Sequence, residues 1–371
     1  MDAKSQLEYE WAHLLSFFPP DDVLERTAKE FGAITRKRLI DKASTLLRLA
    51  FAYGFCEMSL RQTAAWAEVI DIAHISDVAL MKRLRLASDW LGHLLALKLT
   101  ERAPPPQLAH AARHLRLVDA TTINRPGSMG TDWRVHLGFN LMDLKIDSVE
   151  VTDVHGGESL KRFHFCPHDL VVGDCGYAHR AGFHAVISAK ADFLIRLNWQ
   201  NVPLCDIAGD AFDILRALRS ISDATPTEFA VRTQAVPKDN IPAIPARLLV
   251  IRKSEAAAKA ARERVLRERS RKSRTIDPRT LEAARYIMVL TSVPADELSA
   301  LDGLELYRFR WQIELAFKRL KSLLNLGEVP TKDPPLTHSY LYAKFLAALI
   351  LEDLTEEFLS FSPWGHRLVR T

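Results

Sequence analysis

Between residues 113 and 199 the hydrophobic pattern changes in an order that few folds accommodate. LRLVDATTI, residues 115–123, is a short apolar, β-rich run that carries Asp119-Ala-Thr-Thr at its end. After the turn-rich RPGSMG, the segment DWRVHLGFNLM alternates as a strand does, and so does LKIDSVEVTDV. The two read as a hairpin through Asp143, and with the first run as a three-stranded antiparallel ribbon. A helix-like segment around Glu158 to Phe163 follows. DLVVGDCGYAH then gives a short buried strand ending at Asp174, with Gly173 and Gly176 beside it. A helix over 178–188 and a strand over 192–199 complete the unit. Three antiparallel strands followed by strand, helix, strand is a mixed α/β layout.

Two acids stand at the ends of apolar strands in this unit, Asp119 and Asp174. Aspartate is a poor strand former, and a buried carboxylate is costly unless it is paired or bound to metal. A single strand-end Asp is ordinarily a turn or cap residue, so the pair carries the inference. A third acid lies far downstream in YRFRWQIELAFKRLK, residues 307–321. Apolar residues recur there at helical spacing (Leu306, Phe309, Ile313, Phe317, Leu320), and Tyr307, Arg310, Glu314 and Lys321 are three, four and seven apart. Those steps return to one side of a helix, so the four form a polar stripe of one acid, two cations and a phenol. The competing reading is a solvated face with an ion pair. With Asp119 and Asp174 beside it, Glu314 completes an oxygen-only cluster of the kind that suits Mg²⁺ or Mn²⁺. Two such ions would serve an in-line phosphoryl displacement.

Outside this unit the chain reads differently. Residues 1–112 are helical in pattern, with a helix expected from Arg38 to Tyr53. Ser59 is a candidate N-cap for a helix through Val69, and Ser76-Asp77 for a second helix carrying Lys82, Arg83 and Arg85. Two short helices, the second basic, resemble a helix-turn-helix, although a plain helical bundle shows the same pattern. APPP at 103–106 is a natural linker. In 200–284, FAVRTQAVP and ARLLVIRKS read as strands. The run 251–275 holds ten Lys or Arg against three Glu and reads as a basic exposed helix, either a solvated face or a phosphate-tracking arm. HFCPH at 164–168 matches no usual zinc spacing. An apolar helix over 340–354 is expected to pack on the core.

At 371 residues, 48% hydrophobic and 26% charged, the chain is long enough for two or three domains with substantial cores, which excludes global disorder. The net charge of +4 permits nucleic acid as a partner without requiring it. Four scattered cysteines form no CxxC pair, as expected of free thiols in a reducing cytoplasm. The polar N-terminus is unlike a signal peptide, and no apolar run approaches the ~20 residues of a membrane span.

The set VDATT, GDCGYAH and YRFRWQIELAFKRLK resembles the IS4-type, Tn5-like DDE transposases. The tail motif of that group is Y-(2)-R-(3)-E-(6)-K, which Tyr307, Arg310, Glu314 and Lys321 match at all four positions. The resemblance covers roughly 113–200 and 285–350, including DWRVHLGFN and VEVTDVHGGESL. It implies an RNase H-like, mixed five-stranded sheet flanked by helices, interrupted by a β-containing insertion and preceded by a helical N-terminal domain. The expected divisions are 1–112, a catalytic core of 113–199 plus 285–325, an insertion over 200–284 with its basic arm, and a helical C-terminal segment over 326–371. It further implies two Mg²⁺ ions on Asp119, Asp174 and Glu314, with Mn²⁺ able to substitute. Tyr307, Arg310 and Lys321 would grip phosphates of the transposon end. An insertion aromatic stacks a flipped base in some members; Trp199, with Arg196, lies where the insertion leaves the core, and core packing is its competing reading. The implied activity is hydrolysis at transposon ends and transfer of the freed 3′-hydroxyl into target DNA. The partners are double-stranded DNA, both terminal inverted repeats and target, and a second protomer, in the cytoplasm at the nucleoid. A catalytically silent DNA-binding descendant and a metal-dependent nuclease that does not join strands are the alternatives.

Overall fold

The computed structural model describes residues 3–35, 40–101, 113–128, 130–140, 145–221, 223–271, 275, 277–308, 322, 324–325 and 328–360. These fall into two units. One holds Met1–Pro104, Thr122–Val135 and Lys318–Thr371; the other holds Pro105–Thr121 and His136–Phe317.

The first unit is helical: α1 (Ala3–Leu15), α2 (Asp21–Glu30), α3 (Ala43–Gly54), α4 (Leu60–Val69), α5 (Asp77–Leu86), α6 (Ser88–Thr100) and a long C-terminal helix, Pro334–Ser360. Ser59 caps α4 through a reciprocal box with Gln62, and the Ser76 hydroxyl accepts from Ala79 N at the start of α5. Of the helix expected from Arg38 to Tyr53, Arg38 lies outside the described residues, and the described helix begins at Ala43, whose N–H donates to Glu25 Oε1 at 2.7 Å while Ile40 is buried. That start is set by a tertiary contact no local propensity encodes. The C-terminal helix was expected on the core; its packing partners here are α3, α5 and α6. Gly54 shows how close it comes to α3, since a Cβ there would lie 2.7 Å from both Ala343 Cβ and Tyr340 O. Lys344, 1% exposed, is held by Glu57 Oε1 and the carbonyl of Leu324.

The second unit is built on one sheet. Its strands are β1 (His114–Ile123), β2 (Trp133–Asn140), β3 (Lys145–Asp153), β4 (Asp169–Gly173), β5 (Asp192–Arg196), β6 (Leu204–Cys205), β7 (Thr227–Thr233), β8 (Pro245–Arg252) and β9 (Tyr286–Thr291). They lie in the order β3-β2-β1-β4-β5-β9-β8-β7-β6. The five strands expected of an RNase H-like core are all present in the order 3-2-1-4-5, with β1, β4 and β5 parallel. The difference is that the sheet does not stop at five. β9 pairs antiparallel to β5, and the strands of the insertion continue from it. Pairing β5 in this way removes an open sheet edge.

Both faces of the central strands are buried, as near-continuous apolar runs require. On one face, Val118, Val171, Phe193, Ile195, Leu248 and Leu290 form a core with Phe183 of α7 (Arg180–Ser188) and Leu218 of α8 (Ile214–Arg219). On the other, Leu117, Val172, Leu194, Val289 and Leu249 are each at most 3% exposed. A helix over residues 300–308 lies on this second face: a Cβ on Gly303 would sit 2.6 Å from Leu249 Cδ1. Among the described residues no helix is long and apolar enough to cross a membrane. All four cysteines are free.

Candidate active site

Asp119 and Asp174 are brought together by strand register. β1 and β4 run parallel with Leu117 opposite Val172. Two residues further along each strand come Asp119 and Asp174, so the two acids occupy matching positions on neighbouring strands. Alternation puts both on the second face, with Leu117 and Val172. Both are half-buried. The glycine before Asp174 has a packing reason: a Cβ on Gly173 would lie 2.9 Å from Ile195 Cδ1 and 3.2 Å from Val118 Cγ2.

The chain turns sharply after the second acid. Asp174 caps a 3₁₀ turn, Cys175–Tyr177, and its Oδ1 accepts from Gly176 N at 2.8 Å. Tyr177 anchors the turn in the core with no exposed surface. Asn201 Nδ2 donates to Cys175 O at 3.0 Å, tying the turn to the segment after β5. Arg180, just beyond, donates to the carbonyl of Gln234 at 3.0 Å. The carboxylate of Asp174 is thus fixed by its own backbone on a rigid strand end.

The sequence reading missed Glu158. The point a Cβ on Gly176 would occupy lies 1.7 Å from Glu158 Oε2 and 3.0 Å from Asp174 Oδ1. A second carboxylate therefore lies against the Asp174 turn, in space that only glycine leaves open. The signal in the sequence was the glycine two residues after the acid.

The third expected acid, Glu314, lies outside the described residues, as do Arg310 and Lys321. Tyr307 is described: it is buried, near the end of the helix over 300–308. That helix, which leads into the segment holding Glu314, packs on the same sheet face as Asp119 and Asp174. Among the described residues no three His, Cys, Asp or Glu gather as metal ligands.

Arg196 is the last residue of β5, and Trp199 lies three residues beyond it. Trp199 is partly buried against the core; its Nε1 donates to Thr280 Oγ1 at 3.4 Å, and the Arg279 guanidinium lies 4.9 Å from its ring centroid. Arg196 lines a cavity with Trp199, next to the Asp174 turn. The basic run of 251–275 begins with the end of β8 and continues as α9 (Glu255–Arg271).

Residues 111–350 match the family described as "Transposase DDE domain". The chain is 38% identical over 356 residues to "Putative transposase InsL for insertion sequence element IS186A" of Escherichia coli (strain K12), covering 95% of this chain and 96% of that protein. It is likewise 38% identical over 357 residues to "Transposase for insertion sequence element IS421" of Escherichia coli, with the same coverage. Among solved structures, the "Cryo-EM structure of piggyBac transposase synaptic complex with hairpin DNA (SNHP)" superposes with a TM-score of 0.47 at 9% identity, covering 93% of this chain and 75% of that one.

Proposed function

The chain belongs to the DDE transposases of insertion sequences, and on that premise we propose that Asp119, Asp174 and Glu314 are the acids with which it cuts and joins DNA. One observation supports this reading of a DNA transposase most strongly. Asp119 and Asp174 stand at matching register on adjacent parallel strands, on the sheet face over which the helix toward Glu314 runs.

The donors are all carboxylate oxygens, the set that a hard divalent cation takes. Two Mg²⁺ ions, with Mn²⁺ able to substitute, are the cofactor that fits, and Asp119, Asp174 and Glu314 would hold them. When bound, the metal supplies Lewis-acid activation of the attacking oxygen and charge stabilisation at the phosphate. The protein contributes position. Asp174 is fixed by its bond to Gly176 N and Asp119 by its strand, so little reorganisation is needed as charge develops. Water breaks the phosphodiester at the transposon end and leaves a 3′-hydroxyl. That hydroxyl attacks a target phosphodiester, forming a new P–O bond and releasing a target 3′-oxygen. Tyr307, Arg310 and Lys321 hold phosphates of the transposon end through both steps, with Arg196 and Trp199 on the strand beside them.

In this reading, 113–199 plus 285–325 form the catalytic core, 200–284 the insertion, 1–112 an N-terminal DNA-binding part and 326–371 a helical C-terminal segment. The substrates are the terminal inverted repeats and target duplex, bound by a homodimer at the nucleoid in the cytoplasm. The test is incubation with DNA carrying the element's own ends, in Mg²⁺ and in Ca²⁺, with product analysis. Mg²⁺-dependent cuts at the end boundary followed by joined products are expected, and both disappear with Glu314→Gln. Cutting by Glu314→Gln at the parental rate removes Glu314 from the site. Cutting without joining supports a nuclease instead.

A further inference from the structure

A cavity of about 570 Å³ opens beside the Asp174 turn, with Cys175 in its wall. It lies between the ends of β5, β8 and β9 and the helices α9 and α10 (Pro278–Ala283). Three cations line it: Arg196 from the end of β5, Lys253 from the end of β8 and Arg264 from α9. Among the described residues that line it, none is Asp or Glu. The surrounding arginines are different, because each already has an acid. Arg252 and Arg285 share Glu255 at 3.0 and 3.2 Å, Arg279 is 2.7 Å from Asp277, and Arg219 is 2.7 Å from Glu282. Among the described residues, Arg196, Lys253 and Arg264 make no such pair.

The cavity also has a reason to exist. Ala257, Ala260, Ala261 and Arg264 of α9 line it together, spaced three, four and seven apart, so one face of the helix is turned to it. Three alanines leave the space unfilled and one arginine reaches into its lining. Lys253 spends one donor on Ala284 O at 2.7 Å and is half-buried. Its ammonium is pushed down to about 8 by burial first and then by the charges of Arg196 and Arg264. Burying a cation beside two others, with no acid, is costly in the free protein and is relieved by an incoming anion.

We infer that this cavity binds a phosphate, and that Lys253, Arg264 and Arg196 together take one backbone phosphate of the DNA strand that passes Asp174. The inference rests on the reading of the chain as a DNA-cutting transposase. Free phosphate groups present the same chemistry, so the test carries both sources.

Binding of end-bearing duplex to the full chain is measured over a range of salt concentrations, for the parent, Lys253→Met, Arg264→Gln and the double variant. Thermal melting confirms that each variant is folded, and the exposed Arg264 provides the variant least able to disturb folding. Inorganic phosphate and a deoxynucleoside monophosphate are titrated as competitors at constant ionic strength. One lost phosphate contact lowers the log affinity–log salt slope by about 0.9. The expected result is that loss in each single variant and no further loss in the double variant, because both cations serve one phosphate. The competitors should displace duplex only weakly. Unchanged affinity and slope in folded variants, while the parent binds and cuts ends, overturns the cavity site alone. A parent that neither binds nor cuts ends overturns the transposase reading and the cavity site with it. Competition by free phosphate in the parent but not the variants, with the duplex slope unmoved, overturns the assignment to DNA.

Discussion

At the scale of single residues, the two aspartates were legible because strand formers do not tolerate acids without a reason. Asp174 closes the apolar run of β4, Asp119 lies inside β1 rather than at the strand end expected for it, and register puts them side by side. Glu158 was not legible, since its place beside Asp174 depends on a glycine's missing side chain rather than on anything near it in the chain. Lys253 was read only as one cation in a basic run, and its burial could not be seen from composition. That burial makes DNA binding pH-dependent. Lys253 is charged below about 8 and neutral above it, whereas an ordinary lysine holds its proton to about 10.4. The charged groups facing it are Arg196 of β5 and Arg264 of α9, and among the described residues the remaining cavity lining holds no Asp or Glu. DNA affinity should therefore fall as pH rises through about 8, and the fall should vanish in Lys253→Met. Filter binding across pH at fixed salt checks this; identical pH profiles for the two proteins would contradict it.

At the scale of elements, β1 to β5, β7 and β8 were legible from their apolar or alternating pattern, β9 was not read although it is buried on both faces, and helices were read well where a side chain caps them, as Ser59 and Ser76 do. What the sequence did not reveal was set by tertiary contact. α3 starts where Glu25 caps Ala43, β6 is only two residues long, and the sheet runs on past β5 because β9 pairs with its free edge. The C-terminal helix was legible as apolar, but its partners were not, and Lys344 in its buried face had no visible counterpart. Glu57 and Leu324 O supply one. Lys344 is buried while Glu57 is partly exposed, and stripping the acid from a buried cation costs more than removing the cation itself. Glu57→Gln should lower unfolding stability by about 1.5–3 kcal/mol. Lys344→Met should stay within about 1 kcal/mol of the parent or exceed it. Urea denaturation of both variants checks the pair, and an inverted order would contradict it.

At the scale of the whole molecule, the layout of three strands, then strand, helix, strand, was sufficient to reach a mixed α/β core of the RNase H-like kind, and the spaced tail motif was sufficient to reach the DDE family. A sheet of nine strands was less accessible, because whether an insertion forms its own layer or extends its host depends on which edge it finds. The same extension places α9 and the cavity it lines next to the Asp174 turn. The most direct measurement is cleavage of end-bearing DNA in Mg²⁺ by Asp119→Asn and by Asp174→Asn, with end binding measured on the same preparations. Both variants should still bind ends, and both should lose cleavage by more than about a thousandfold. Cleavage at the parental rate by either folded variant would show that the two acids side by side on β1 and β4 are not the catalytic pair.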